Sequence, residues 1–101
     1  MNMKKLLLLI FVAASAAFAV EPGPVVLDAP IGTACRTWVE NGVTFLEIRN
    51  ETGRSVSGTV TLNEIYEKAI VLSGGRSVDI DGRWIEVELP AHGVLLVRLG
   101  K

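Results

Sequence analysis

Carboxylates are the side chains in this chain with the clearest capacity for chemistry. Asp79 and Asp81 precede a glycine, Glu86 and Glu88 lie two residues apart on the next segment, and Glu47 lies upstream. Two carboxyl groups form the catalytic set of most glycoside hydrolases. Such a pair also needs a cleft around the substrate, whereas two glutamates on one side of an exposed strand are typical of a solvated face. A small secreted glycoside hydrolase that uses an acidic pair is therefore an alternative function.

The remaining reactive side chains are too few to form a known catalytic or metal set. His92 is the only histidine and Cys35 the only cysteine, whereas a zinc site needs several ligands of these types. His92 lies in a turn-like Pro-Ala-His-Gly sequence, and Asp79 and Asp81 lack the spacing of a calcium loop. We therefore expect no catalytic residue, no metal site and no cofactor.

Three aromatic side chains are the best candidates for a binding site. Trp38, Trp84 and Tyr66 could stack on sugar rings, because carbohydrate-binding modules offer flat apolar rings to their ligands. Aromatic residues also cover the margins of small cores and form contacts with other proteins. The sequence thus predicts a carbohydrate or protein partner at these residues, with core cover as the competing interpretation.

Two further features could mark sites of covalent modification: the single cysteine, Cys35, and the tripeptide Asn50-Glu51-Thr52. With one cysteine in the chain, no intrachain disulfide is possible, so Cys35 is either a small apolar strand residue or the site of an intermolecular disulfide. The tripeptide matches the N-glycosylation motif. That motif is short enough to arise by chance, so no function is predicted from it.

The first 19 residues have the layout of a secretory signal peptide. Lys4 and Lys5 supply positive charge, residues 6–12 form an apolar run, and Ala17 and Ala19 are the small residues of a cleavage site. The apolar run is shorter than the roughly 20 residues that a membrane span needs. The sequence predicts cleavage after Ala19, a secreted or periplasmic product, and no stable membrane anchor after cleavage.

The net charge of the chain after the predicted cleavage disfavours two classes of partner. Without Lys4 and Lys5, 8 basic residues face 11 acidic ones, so the formal net charge becomes −3. A mildly acidic chain without a basic cluster has little attraction for nucleic acid, whose binding depends on phosphate neutralisation. Anionic membrane surfaces are disfavoured for the same reason.

Short β-type runs separated by turn residues fill the rest of the chain. Alternation of apolar and polar residues is clearest in 55–62 and 83–89. In the second run the aliphatic residues point inward, whereas Trp84, Glu86 and Glu88 point outward. The predicted strands are 33–39, 43–48, 55–62, 69–72, 77–80, 83–89 and 94–99.

The turns between these runs have recognisable chemistry. Asn41-Gly42 and Asp81-Gly82 predict hairpins, because these dipeptides supply the positive φ angles of tight turns. Residues 63–68 break the alternation and are expected to form one helical turn or a loop. Residues 21–24, Glu-Pro-Gly-Pro, are expected to form a flexible lead-in.

This pattern predicts an all-β fold, because strands recur about every ten residues and no helical period extends far. We expect a small antiparallel β-sandwich of about seven to eight short strands. The predicted organisation is a signal peptide over 1–19, an N-terminal lead-in over 20–31 and the sandwich over 32–101. A structural envelope protein that associates through an uncapped edge strand is a further alternative function.

From Arg49 onward, the order of strand ends and turns follows a known pattern. The strand end Leu72-Ser73-Gly74, the Asp81-Gly82 hairpin and the turn that begins Leu89-Pro90 precede an apolar final strand over 94–99. This order resembles the C-terminal β-sandwich domain of β-galactosidases, α-amylases and related glycoside hydrolases. The likeness covers about half of the chain.

The resemblance implies a non-catalytic domain that packs against a catalytic barrel, so no catalytic residue is carried over from it. It implies a polysaccharide or a glycosidase partner protein. Those domains end long enzymes, whereas here a signal peptide comes directly before the sandwich. The expected function is an exported, non-catalytic module that binds carbohydrate or protein as an accessory.

The leader predicts a defined product of export. A chain expressed from its full sequence in a bacterial host is expected to reach the exported fraction with Val20 as its first residue. N-terminal sequencing and intact mass measure this. Replacement of Lys4 and Lys5 by glutamate should retain the chain in the cytoplasm, because the leader then lacks its positive charge. An uncleaved cytosolic product from the natural sequence would contradict the prediction.

Overall fold

The computed structural model describes residues 20–74 and 78–101. The signal peptide predicted over 1–19 lies outside the described residues, as does Ser77, the first residue of a predicted strand. Within the described ranges, no helix has the length and apolar character needed to cross a bilayer.

The chain folds as antiparallel β-strands throughout its described part, which confirms the predicted fold class. Eight strands follow one another with no intervening helix in these ranges. They are β1 (Val20–Pro22), β2 (Val26–Asp28), β3 (Thr33–Glu40), β4 (Val43–Asn50), β5 (Val56–Tyr66), β6 (Lys68–Ser73), β7 (Asp79–Leu89) and β8 (Val94–Gly100).

These strands form two sheets. One sheet has five strands in the order β1-β3-β4-β8-β6, and the other has three in the order β2-β5-β7. All pairs between neighbouring strands are antiparallel. Both sheets place one face against the other, so each keeps one outward face in contact with solvent.

The core lies between the sheets and consists of inward side chains at every second position. In β7, for example, Ile85, Val87 and Leu89 are buried while Trp84, Glu86 and Glu88 are exposed, as the alternation predicted. The same rule applies on β4 and β8. The buried apolar residues, each at most 5% exposed, are Leu46, Ile48, Val60, Leu62, Tyr66, Ile85, Val87, Leu89, Leu95, Val97 and Leu99.

Three segments differ from the expectation drawn from the sequence, and the first two are residues 20–31 and 63–68. Residues 20–31 contain β1 and β2, so the lead-in is structured: Val20 pairs with Glu40, and Val26 pairs with Leu62. Residues 63–68 form neither a helical turn nor a long loop. β5 continues to Tyr66 and β6 begins at Lys68, because a shift in register within β5 absorbs the break in alternation.

β7 bends sharply near its start. Asp79 and Glu86 line the same surface depression, although seven residues of a straight strand would separate them by about 23 Å. Gly82 lies at the bend with φ 68°, a conformation that glycine adopts without strain. The sequence predicted two strands joined by a hairpin at Asp81-Gly82, whereas the structure assigns one strand that changes direction there.

Two other turns agree with the sequence. Asn41 and Gly42 have φ 52° and 78°, as expected for an Asn-Gly hairpin between β3 and β4. His92 has φ 56° in the turn between β7 and β8, and its N–H donates to the Thr52 carbonyl at 3.0 Å. His92 is therefore an exposed turn residue.

Asn50 joins three segments through one buried amide. Its side chain is 1% exposed. Its Nδ2 donates to the carbonyl oxygens of Arg54 at 2.7 Å and Pro90 at 2.9 Å. Its Oδ1 accepts from the Thr52 N–H at 2.9 Å and from Thr52 Oγ1 at 2.8 Å. Both donors and the acceptor of the amide are satisfied, so the asparagine of the glycosylation motif is part of the folded framework and its nitrogen is not presented for modification.

The buried amide makes Asn50→Asp a sensitive test of this framework. A carboxylate has no donor for the two carbonyl oxygens, so the free energy of unfolding should fall by about 3 kcal/mol at neutral pH. The deficit should shrink as the pH falls through the aspartate pKa, because the protonated acid regains one donor. Urea unfolding followed by circular dichroism measures both effects.

Asn63→Asp is the matched control for this substitution. Asn63 Oδ1 accepts a hydrogen bond from the Val25 N–H at 2.8 Å on the surface, and an aspartate oxygen can accept the same bond. Its stability should stay within about 0.5 kcal/mol of the parent. Equal losses in both variants would contradict the role assigned to Asn50.

Candidate functional site

The outward face of the three-stranded sheet, called here the three-strand face, carries a regular row of hydroxyl and carboxylate groups. Serine and threonine residues on β5 lie directly opposite outward residues on β7. Neighbouring strands are about 4.8 Å apart, so the two side chains of each pair lie close together on this face. The pairs are Ser57 with Glu88, Thr59 with Glu86, and Thr61 with Trp84.

Trp84 is the accessible aromatic residue of this face. Its side chain is 50% exposed, and its neighbour across the sheet is the small residue Thr61. The guanidinium carbon of Arg83 lies 5.9 Å from the indole centroid, at the outer limit of a cation–π contact. A flat apolar surface thus remains open beside a hydroxyl group.

A surface depression brings Trp84 together with three carboxylates. Asp79, Asp81 and Glu86 line it with Thr59 and the indole. The bend in β7 is the reason, because it returns the start of the strand to the middle of the same face. Within the ranges that the structure describes, Asp79, Asp81 and Glu86 form no salt bridge. They are therefore available as hydrogen-bond acceptors.

Trp38 lies on the opposite side of the molecule, on the outward face of the five-stranded sheet. Phe45 on β4 stacks with it, with ring centroids 5.4 Å apart and an interplanar angle of 24°. The Arg36 guanidinium carbon lies 4.7 Å from the Trp38 ring centroid, and Arg36 Nε is 3.0 Å from Glu47 Oε1. The Trp38 ring is thus engaged by side chains of its own sheet.

Tyr66 belongs to the core. It is 4% exposed, and a ring buried to this extent presents no open face to a sugar. Its hydroxyl is 3.4 Å from Glu64 Oε1, and Lys101 Nζ lies 5.2 Å from its ring centroid. Burial, and secondarily the Glu64 charge, raise the pKa of the Tyr66 hydroxyl.

The three aromatic residues named from the sequence therefore do not form one site. Trp84 and Trp38 are on opposite outward faces, and Tyr66 is between the sheets. The sequence pattern had placed the hydroxyls of β5 on one outward face and Trp84 on another strand, but it did not show that these strands are neighbours. The row opposite Trp84 could be found only from the pairing of β5 with β7.

The outward carboxylates of β7 are arranged differently from the carboxyl pair of a glycosidase. Glu86 and Glu88 share one side of an open strand, whereas glycosidase carboxyls face each other across a bound sugar. Among the described residues, no cluster of three histidine, cysteine or acidic side chains has the geometry to hold a metal ion. The arrangement is suited to recognition through stacking and hydrogen bonds.

Cys35 lies on the inward side of β3, opposite Ile48 on β4. It is a free thiol that is half-buried and packs against the core. Burial raises the pKa of the Cys35 thiol, and a hydrogen bond with Thr33 offsets part of that effect. This environment favours the small apolar interpretation over an intermolecular disulfide.

Comparison with known proteins identified no protein similar to this chain. No protein-family model, curated protein or solved structure matches the chain.

The position of Cys35 predicts slow alkylation. At pH 8 the folded chain should react with iodoacetamide at least about tenfold more slowly than the chain unfolded in urea, because only an exposed thiolate reacts quickly. Mass spectrometry over time measures both rates. Equal rates, or a disulfide-linked dimer on a non-reducing gel, would contradict the inward placement.

Proposed function

We propose that this chain is an exported, non-catalytic β-sandwich module that binds neutral polysaccharide through the three-strand face. The observation that carries the proposal is the half-exposed indole of Trp84 beside Thr61, with Asp79, Asp81 and Glu86 close by. Export follows from the signal peptide predicted over 1–19. The resemblance to the C-terminal sandwich of glycoside hydrolases points in the same direction.

The chemistry of the face fits a hydroxyl-rich ligand. A pyranose offers an apolar C–H side to an aromatic ring and hydroxyl groups around its edge. Trp84 supplies the ring, and carboxylates and threonine hydroxyls supply acceptors at the spacing of neighbouring strands. The three carboxylates would repel a polysaccharide rich in uronic acids or sulfate, so a neutral chain is the better ligand.

Trp38 is the less suitable platform of the two tryptophans. Arg36 and Phe45 already contact its ring, so a sugar would have to displace them. The face around Trp38 also has fewer hydroxyl groups and more aliphatic side chains. A glycosidase partner protein, the second partner expected from the sequence, would find a more suitable surface there.

Binding to neutral polysaccharides is expected to depend on Trp84. The purified chain should be retained on a panel of insoluble neutral glucans, xylans and mannans, and Trp84→Ala should weaken retention roughly three- to tenfold. Trp84→Phe should keep part of the binding, because it keeps an aromatic ring. Depletion isotherms of the bound fraction measure the affinities.

Trp38→Ala is the control for these measurements, since it removes the other tryptophan and should leave retention unchanged. Circular dichroism of every variant establishes that folding is preserved. Binding lost in Trp38→Ala and kept in Trp84→Ala, or no retention on any neutral glycan, would contradict the proposal. Hydrolysis of chromogenic glycosides that disappears in Glu86→Gln would instead support the glycosidase alternative.

A further inference from the structure

The outward face of the five-stranded sheet, called here the five-strand face, is both apolar and basic. One row crosses all five strands, because Trp38 pairs with Pro22 and Phe45, and Arg98 pairs with Phe45 and Ile70. Ile70 and Leu72 at its edge are 51% and 48% exposed. Several apolar side chains on one outward face of a small protein indicate a contact with another molecule.

The charges on this face define what the other molecule must carry. Arg36, Arg49, Arg98 and Lys68 face outward, whereas the acidic residues are Glu40 and Glu47. Glu47 is already engaged by Arg36 at 3.0 Å and by Arg49 at 3.5 Å. Net positive charge is left over, so two five-strand faces would repel each other and an acidic partner surface is favoured.

The three-strand face of the same protein has the complementary chemistry. Asp79, Asp81 and Glu86 line one depression together with the half-exposed indole of Trp84. Carboxylates around an aromatic ring form a good site for an arginine, because the guanidinium can stack on the ring and pair with the acids. The five-strand face offers such an arginine in Arg98, which is exposed.

We propose that the five-strand face of one copy docks on the three-strand face of a second copy. The two faces lie on opposite sides of the sandwich, so each copy can bind one neighbour on each side. Such head-to-tail contacts do not close on themselves as a two-fold dimer does, and they generate linear stacks. This docking does not depend on the glycan proposal. Both ligands would use Trp84, so a glycan and a second copy would compete for it.

The size of the contact predicts that association is weak and reversible. Strands about 4.8 Å apart with a rise of about 3.3 Å per residue give a five-stranded sheet a face of roughly 500 Å². The three-strand face is the smaller of the two, so a contact would bury at most roughly 1,000 Å² from both copies, below the roughly 1,600 Å² of a standard stable interface. The stacks should therefore grow with concentration and dissociate on dilution.

Sedimentation velocity on the exported protein tests this inference. The weight-average mass should rise steadily with concentration at low salt, and the association constant should fall roughly tenfold or more at high salt, where charges are screened. A species that stays monomeric at every concentration, or that stops at a dimer, would overturn the proposal. Association that salt does not change would overturn it as well.

Charge reversal on each face makes the test specific. Arg98→Glu on one face and Glu86→Lys on the other should each weaken association roughly tenfold or more, because like charges then meet. An equal mixture of the two variants should recover association, since each variant then finds a face of opposite charge. Failure of the mixture to associate more strongly than either variant alone would overturn the proposal.

Controls separate this inference from the glycan proposal. Arg54→Glu and Glu51→Lys change exposed charges in the turn between β4 and β5 and should leave association unchanged. Arg98→Glu should leave glycan retention unchanged, because Arg98 lies on the opposite side of the molecule. Loss of association with intact glycan binding, or the reverse, shows which of the two proposals fails.

Discussion

Burial of one side of every central strand is the constraint on which the rest of this structure depends. The core residues of β4, β5, β7 and β8 alternate with outward residues, and the apolar surface they remove from water is the main favourable term in folding. A shift of one residue in the register of β7 would place Ile85 and Val87 in solvent and Glu86 in the core. The cost of burying that charge keeps Trp84 on the outside.

The same constraint gives the molecule two outward faces with different chemistry. Because apolar side chains fill most of the inward positions, the outward positions were free to differ between the sheets. The three-strand face carries hydroxyls, carboxylates and one open indole, whereas the five-strand face carries aliphatic and aromatic residues with excess arginine. Asn50 stabilises this arrangement at one end of the sandwich, where its amide holds the turns that follow β4 and β7.

Much of the fold follows from local patterns in the sequence. The alternation over 83–89 was sufficient to place Trp84, Glu86 and Glu88 on one outward face, and Asn-Gly was sufficient to identify the β3–β4 hairpin. The structure of β1 and β2 could not be predicted in this way. Each has three residues and forms because a longer strand offers it hydrogen-bond partners, which is information that local sequence does not contain.

The candidate site was harder to predict for the same reason. Tyr66 follows a break in alternation, so its inward direction depends on the shifted register of β5 and not on its neighbours in sequence. The sequence indicates Trp38 as a binding candidate, but its stacking on Phe45 depends on the register of β3 and β4. Asn50 was visible only as part of a glycosylation motif, because nothing in its sequence context indicates that its amide is buried.

The central claim is that Trp84 is open to solvent while Trp38 is covered by its neighbours, and single-tryptophan variants test it most directly. Acrylamide quenching of fluorescence should be stronger in Trp38→Phe, which retains Trp84, than in Trp84→Phe, which retains Trp38. The emission of Trp84 should also lie at the longer wavelength, as expected for an indole in contact with water. Equal quenching of the two variants, or stronger quenching of Trp38, would contradict the account.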